Sequence, residues 1–233
     1  GRTPVEEVRN AIIKDLDDAI KVLDVKYETS DAGRATKGAA IALKGKVYLY
    51  AGEYQKAVET LEDLVNNPDT YQYGILDNYA DVFDYHNKNN KEVVFDVQYL
   101  GPKTGEGGSL DYLLGNLSCN GTGSTNTSCP TVELLDSYLC TNGLPITDPA
   151  SGYDSNNRYQ NRDKRMDITV MRPGTKFKGL DYVFPLQAGD FVKGRTRTGL
   201  MWRKYVVEDE GSAWGDDNQN YIVIRYADVL LMY

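Results

Sequence analysis

The sequence predicts a mainly α protein in which a helical-hairpin scaffold carries long irregular loops and a few short strands. Three observations predict it. Apolar residues recur at helical spacing up to Asn66; beyond it, clusters of Asn, Asp, Tyr, Gly and Lys break that period; and Glu92 to Tyr99 alternates with the two-residue period of a strand. The 233 residues are read as one domain, with a helical part at 1–66 and a loop-rich part at 67–233. That length buries a sizeable core without metals or a disulfide framework.

The elements follow in order. Thr3 as N-cap, Pro4 at the first helical position and Glu6 three residues after the cap predict a helix over 4–24. Val5, Val8, Ile12, Leu16, Ile20 and Leu23 share one face of it, with Glu7, Lys14, Asp17 and Lys21 largely opposite. A second helix starts at Thr36, carries Ala40, Leu43, Val47 and Tyr50 as its apolar stripe, and stops at Gly52. Tyr54, Ala57, Val58, Leu61 and Val65 begin a third. Within this hairpin Gly45, Tyr48, Gly52, Tyr54 and Ala57 match the tetratricopeptide pattern: a small residue for close helix approach, a Tyr to fill the gap, and Ala at the crossing. The fold class is therefore a tetratricopeptide-like helical hairpin scaffold. A single such unit leaves an apolar flank, which the first helix or something outside the chain must cover.

Beyond Asn66 the strand at 92–99 places Val93, Phe95, Val97 and Tyr99 on one face and Glu92, Val94, Asp96 and Gln98 on the other. Residues 101–128 are rich in Gly and poor in apolar groups, which predicts a long surface loop. A short helix is expected from Thr131 to Leu139 and a strand from Met166 to Met171. Ile222 to Tyr233 turns helical and ends without a cap, so a continuation of that helix is expected.

Composition excludes several functions. With 34 acidic and 26 basic side chains the net charge is -8, which repels a phosphate backbone and argues against nucleic acid. No apolar run is long enough to span a membrane, and Gly1-Arg2-Thr3-Pro4 is neither a signal peptide nor a lipid-attachment site. Cys119, Cys129 and Cys140 lack the paired spacing of a zinc site; Cys119 and Cys129 flank a polar loop and either close it as a disulfide or stay as reduced thiols. A single histidine, His86, and the lack of serine-hydrolase, zinc-protease or phosphate-loop motifs disfavour an enzyme; a two-carboxylate glycosidase is the catalytic alternative. No cofactor is implied. Glu208, Asp209, Glu210, Asp216 and Asp217 lack the alternate-position spacing of a calcium loop and read as a solvated charge run.

The stretch RATKGAAIALKGKVYLYAGEYQKAVETLEDLV at 34–65 resembles the helical hairpin of the SusD/RagB family. Other landmarks follow in family-like order: VEEVRNAIIKDLDDAI before it, then Tyr79 to Phe83, NKEVVFDVQY, PTVELLDSY with the Asn142-Gly143 turn, DKRMDITV, WRKY and IVIRYADVLLMY. The resemblance covers essentially the whole chain. It implies a non-catalytic outer-membrane lipoprotein at the cell-surface face in Bacteroidota, which captures glycans, or peptides in some relatives, over a TonB-dependent (SusC-like) transporter. The lipidated N-terminal cysteine, the preceding tetratricopeptide helices and the continuation past RYADVLLMY that usually mark the family lie outside these residues, so a fragment is expected.

Sugar binding needs flat rings against pyranose C–H faces and planar polar groups for hydroxyls, commonly displayed on loops. The 18 Tyr beside 5 Phe supply rings with a hydroxyl. Trp214, in the polar loop EDEGSAWGDDNQN, is either a platform or a loop anchor, and Trp202, beside Lys204-Tyr205, either packs or serves as a platform. Tyr112 in the long loop, with Tyr153 and Tyr159 in GYDSNNRYQNR, extends such a platform, and Asp154, Asn156, Asn157 and Arg158 offer hydrogen-bond partners. The bland alternative is a solvated loop with ordinary surface tyrosines. Arg225 is read as structural, bonding backbone carbonyls or a buried carboxylate.

Overall fold

The computed structural model describes residues 1–110, 114, 128–177, 179–182, 198–208 and 216–233. In chain order the described helices are α1 (Val5–Val22), α2 (Lys37–Tyr50), α3 (Tyr54–Asn66), α4 (Pro68–Tyr71), α5 (Val132–Ser137), α6 (Arg165–Thr169) and α7 (Tyr226–Met232). The described strands are β1 (Val93–Val97), β2 (Val170–Met171), β3 (Lys176–Phe177), β4 (Leu180–Asp181), β5 (Met201–Trp202) and β6 (Tyr221–Arg225), with short 3₁₀ turns between. The chain divides into two compact units, one of 1–82, 86–98 and 221–233, the other of 83–85 and 99–220.

In the first unit the helices form where expected, with two corrections. The boundary residue of α1 is Pro4, whose ψ of 141° is extended, and no side chain caps the helix, so Thr3 lies one residue too early to be its N-cap. Glu6 and Glu7 in the first turn still complement the helix dipole. α2 starts as predicted: the Thr36 hydroxyl accepts from the Ala39 amide at 3.2 Å. Of the expected stripe only Ala40 is buried, together with Gly38, Ala39, Ile41, Ala42 and Gly45, while Leu43 and Tyr50 are exposed. The reason is the close approach of α2 and α3, which selects small residues for the seam. A Cβ on Gly45 would lie 2.4 Å from Leu61 Cδ2, and Ala57, only 1% exposed, sits on the facing helix. Gly52 turns the chain between them with φ +75°, a conformation open to glycine at little cost.

Helix α1 lies along α2, tied by Lys44 to Asp17 at 2.5 Å and more loosely by Arg9 to Glu53 at 3.6 Å. None of its residues is fully buried, so it covers the hairpin only in part. Val5, Val8 and Ile12 with Leu43, Val47 and Tyr50 line an open apolar groove.

β1 pairs antiparallel with β6, Val93 opposite Arg225 and Val97 opposite Tyr221, with an irregularity at Phe95. The expected helix over Ile222 to Tyr233 therefore begins only at Tyr226, because β-branched Ile222, Val223 and Ile224 enter the sheet. The alternation expected of β1 is present. Glu92, Val94 and Asp96 are the buried set and Val97 is exposed. Burial of Glu92 is possible because Arg225 meets it at 2.9 Å and the Leu76 amide donates to its other oxygen at 3.0 Å. Arg225 thus has the structural role expected of it. The core of this unit gathers Ile41, Leu61, Leu64, Tyr71, Val94, Ile224, Tyr226 and Val229 from both ends of the sequence. The Tyr226 hydroxyl donates to the Leu64 carbonyl at 3.2 Å.

In the second unit α5 starts at the predicted cap, Thr131, whose hydroxyl accepts from the Leu134 amide at 3.1 Å. The expected strand at Met166 to Met171 is mostly helix. Asp163 accepts from the Arg165 and Met166 amides and starts α6, leaving only Val170 and Met171 to pair with β5. β3 and β4 form a small antiparallel ladder. Leu135, Met166, Val170 and Leu200 form one small core, and Met171, Phe177, Tyr182, Met201 and Val206 another. Burial pushes the Tyr182 hydroxyl pKa up, and that hydroxyl donates to the Gly199 carbonyl at 2.7 Å.

Two outcomes follow from this packing. Gly45→Val is expected to lower stability by about 1–3 kcal/mol in a urea titration, through the overpacked seam with Leu61. Glu92→Ala, which removes the buried partner of Arg225, is expected to lower stability by about 3 kcal/mol; an unchanged midpoint would show that the pair does not hold the sheet.

Candidate ligand-binding site

The segment after α5 is a succession of tight turns, each closed by a side chain. The Asp148 carboxylate accepts from the Ala150 amide at 2.8 Å and closes the turn Pro149–Ser151. Asp154 repeats the device at Ser155–Asn157, accepting from the Asn156 amide at 2.9 Å and the Asn157 side chain at 2.6 Å. These bonds, the one from the Asn157 side chain foremost, hold the Asp154 carboxyl below the usual carboxylate range.

Behind the turns stand three arginines. Arg158 donates to Asp136 at 2.8 Å. Arg172 grips Asp167 with two bonds of 2.8 Å, and its guanidinium lies 4.7 Å from the centre of the Tyr159 ring. Arg162 is buried and donates to the carbonyls of Leu135 at 2.7 Å and Tyr138 at 2.8 Å, holding the C-terminal end of α5 against this segment. Its guanidinium also lies 5.6 Å from the centre of the Tyr153 ring.

Residues 155–160 with Arg172 line a depression of about 490 Å³. Exposed Asp154, Asn156 and Asn157 offer planar acceptors and donors, and half-buried Arg158 and Tyr159 form its cationic and aromatic wall. Such a surface can exchange hydrogen bonds with a polyhydroxyl ligand and lay a ring edge against it. Of the residues expected to bind, Asn157, Arg158 and Tyr159 line this depression, while Asp154 ties the turn beside it and Tyr153 stands against Arg162. Trp202 is half-buried on β5, opposite Val170, with its indole N–H donating to the Ser128 hydroxyl at 3.2 Å, and it is not among the residues lining the depression. Tyr112 and Trp214 lie outside the described residues.

Sequence reasoning missed Arg172 and Asp136, because their membership depends on contacts with residues 13 and 22 positions away in the chain, Tyr159 and Arg158. The signal available was the arginine density of the stretch around them. The acidic run is divided among separate tasks: Glu208 pairs with Arg203 at 2.5 Å, Asp216 accepts from the Lys103 amide at 2.9 Å, and Asp217 accepts from the Gln219 amide at 2.7 Å. Asp209 and Glu210 lie outside the described residues, as does Cys119, the expected partner of Cys129; Cys140 is buried. Among the described residues no group of three or more His, Cys, Asp or Glu side chains is arranged to hold a metal ion.

Residues 91–233 match the model of the SusD family. SusD-like protein P2 of Formosa agariphila is 25% identical over 236 residues, an alignment that takes in 100% of this chain and 43% of that protein. A SusD-like carbohydrate binding protein from Bacteroides fragilis is similar in structure, with a TM-score of 0.85 and 27% identity over 99% of this chain and 46% of that one. A laminarin binding SusD-like protein aligns at a TM-score of 0.63 and 27% identity, over 97% of this chain and 49% of its own. The chain spans less than half the length of each of these proteins.

The turn at Asp154 has a pH signature. Its carboxyl is expected to titrate below an ordinary aspartate in a carbon-13 NMR titration, and Asn157→Ala should raise that midpoint. Since the folded value is the lower one, the stability this group contributes is present above the unfolded value and is lost as pH falls through the folded one.

Proposed function

The chain belongs to the SusD family, and on that premise we propose that it captures oligo- or polysaccharide at the cell surface without cleaving it, and delivers it to a TonB-dependent, SusC-like transporter of the outer membrane. The observation that carries the capture reading is the polar depression at residues 155–160, with its planar amides and its ring backed by Arg172. Similarity to a SusD-like carbohydrate binding protein and to a laminarin binding SusD-like protein supports the ligand class. Tyr153, Asp154, Asn157, Arg158 and Tyr159 are the proposed contacts, with Trp202, Trp214 and Tyr112 as further platforms. Location at the outer face of the outer membrane, through a lipid anchor on the whole protein, is part of the same proposal.

A second reading, a tetratricopeptide-type scaffold for a protein or peptide partner, is favoured by the apolar groove along α1 and α2. The two are compatible, since the groove and the depression use different residues.

Affinity electrophoresis through gels containing plant, microbial and host polysaccharides tests the capture reading. Retardation by at least one glycan is expected, abolished or strongly reduced by Tyr159→Ala, Trp202→Ala or Trp214→Ala, with the glycan recovered intact. A folded protein that no glycan retards would overturn it, and release of reducing ends would establish a hydrolase instead.

A further inference from the structure

The first unit holds a cavity that the capture site does not use. It has a volume of about 320 Å³ and lies between the loop that joins α1 to α2, the exit of α4 at Tyr71 to Tyr73, and the approach to β1. That is the small end of the range for ligand pockets and suits one or two sugar rings.

Its walls are held in place by contacts shared with the core of this unit. Tyr73 stacks on buried Tyr71 with ring centres 6.0 Å apart and planes 13° from parallel, lies 5.7 Å from the Tyr226 ring, and places its hydroxyl 3.3 Å from the Thr36 hydroxyl that caps α2. The ring is thus fixed as part of the cavity wall. At the rim, Gln72 and Asn89 both take left-handed backbone, with φ of 57° and 56°. Gln72 takes it as the C-cap of α4, and asparagine adopts it more readily than most residues. The side-chain oxygen of Gln72 accepts from Lys26 and that of Asn89 from Gln98, which leaves each amide nitrogen as a donor for a ligand.

Charge sets the ligand class. In a chain of net charge -8, Lys26 and Lys91 line this one cavity and neither ammonium meets a carboxylate among the described residues. Arg34, also on the wall, is paired with Asp31 at 3.0 Å. The one carboxylate on the wall, Asp96, is only 5% exposed and accepts from Gln98 at 3.1 Å, so the charge presented at the opening is that of the two lysines, which are placed to take an anion. We propose that this cavity is a second saccharide site, selective for a sugar that carries a carboxylate, with Tyr73 in its wall and Lys26 and Lys91 as its anion contacts.

Isothermal titration of the 233-residue chain with trigalacturonic acid, and with maltotriose as the neutral counterpart, tests this. Expected are binding of the acidic trisaccharide about tenfold or more tighter than the neutral one, a loss of affinity as salt is raised, and a drop of about tenfold in Lys26→Gln/Lys91→Gln. Both lysines are exposed, so an unchanged thermal midpoint will verify that the double variant is folded. No binding of the acid by the folded chain, equal affinity for maltotriose, or indifference to the double variant would overturn the proposal. Loss of acid binding in Tyr159→Ala with the lysine variant unaffected would overturn it too, by placing the acidic sugar in the depression at 155–160. Because the two sites use separate residues, the electrophoretic test of capture and this titration fail independently.

Discussion

The first unit depends on one buried ion pair between residues 133 positions apart, Glu92 before β1 and Arg225 at the end of β6. Glu92 is inside because its two oxygens are both answered, one by the guanidinium and one by the Leu76 amide. The backbone completes the knot: the Tyr226 amide donates to the Glu92 carbonyl at 2.7 Å, and Asp228 accepts from the Arg225 amide at 2.9 Å. A pair of this kind adds little net energy over an apolar substitute, but it admits only one register, since any slip leaves a charge buried alone. It therefore specifies the pairing of β1 with β6 and places Ile224, Tyr226 and Val229 in the hairpin core.

Everything from Tyr99 to Asn220 is sequence inserted between those paired strands, and it is organised on a different principle. Its described strands are only two residues long and its cores are small, so polar side chains do much of the work that regular ladders do elsewhere. Asp148, Asp154 and Asp163 close successive turns and Arg162 holds the end of α5 through the Leu135 and Tyr138 carbonyls. Turns closed this way present side chains in a defined geometry without a sheet beneath them. The polar surface beside residues 155–160 is a by-product of that construction, because Asp154 and Asn157, which tie the turn, are left exposed.

The helical scaffold was legible because a 3.6-residue period, a capping threonine at Thr36 and the small residues Gly45 and Ala57 are local signals that tertiary structure reinforces. The misreadings share a cause. Thr3, the stripe through Leu43 and Tyr50 and the strand at Met166 all rest on local signals, a capping pattern or the run of residue types. In each case a nearby competing interaction wins: Pro4 as boundary, the tight α2–α3 seam, and the turn held by Asp163. The candidate site was legible as a contiguous polar and aromatic stretch, 153–159, since turn-forming and sugar-binding side chains are the same few types. Its backing by Arg172 and Asp136 was not legible.

The sequence by itself determined the hairpin, the order of family landmarks and the residue types available to meet a sugar, because these are properties of neighbours along the chain. Tertiary structure alone decided which face of β1 is inside, which arginines stand behind Tyr159, and that Lys26, Tyr73 and Lys91 share a cavity. Those outcomes rest on charges and rings brought together across tens of residues, and a buried charge or a stacked ring has no local period by which it can be read.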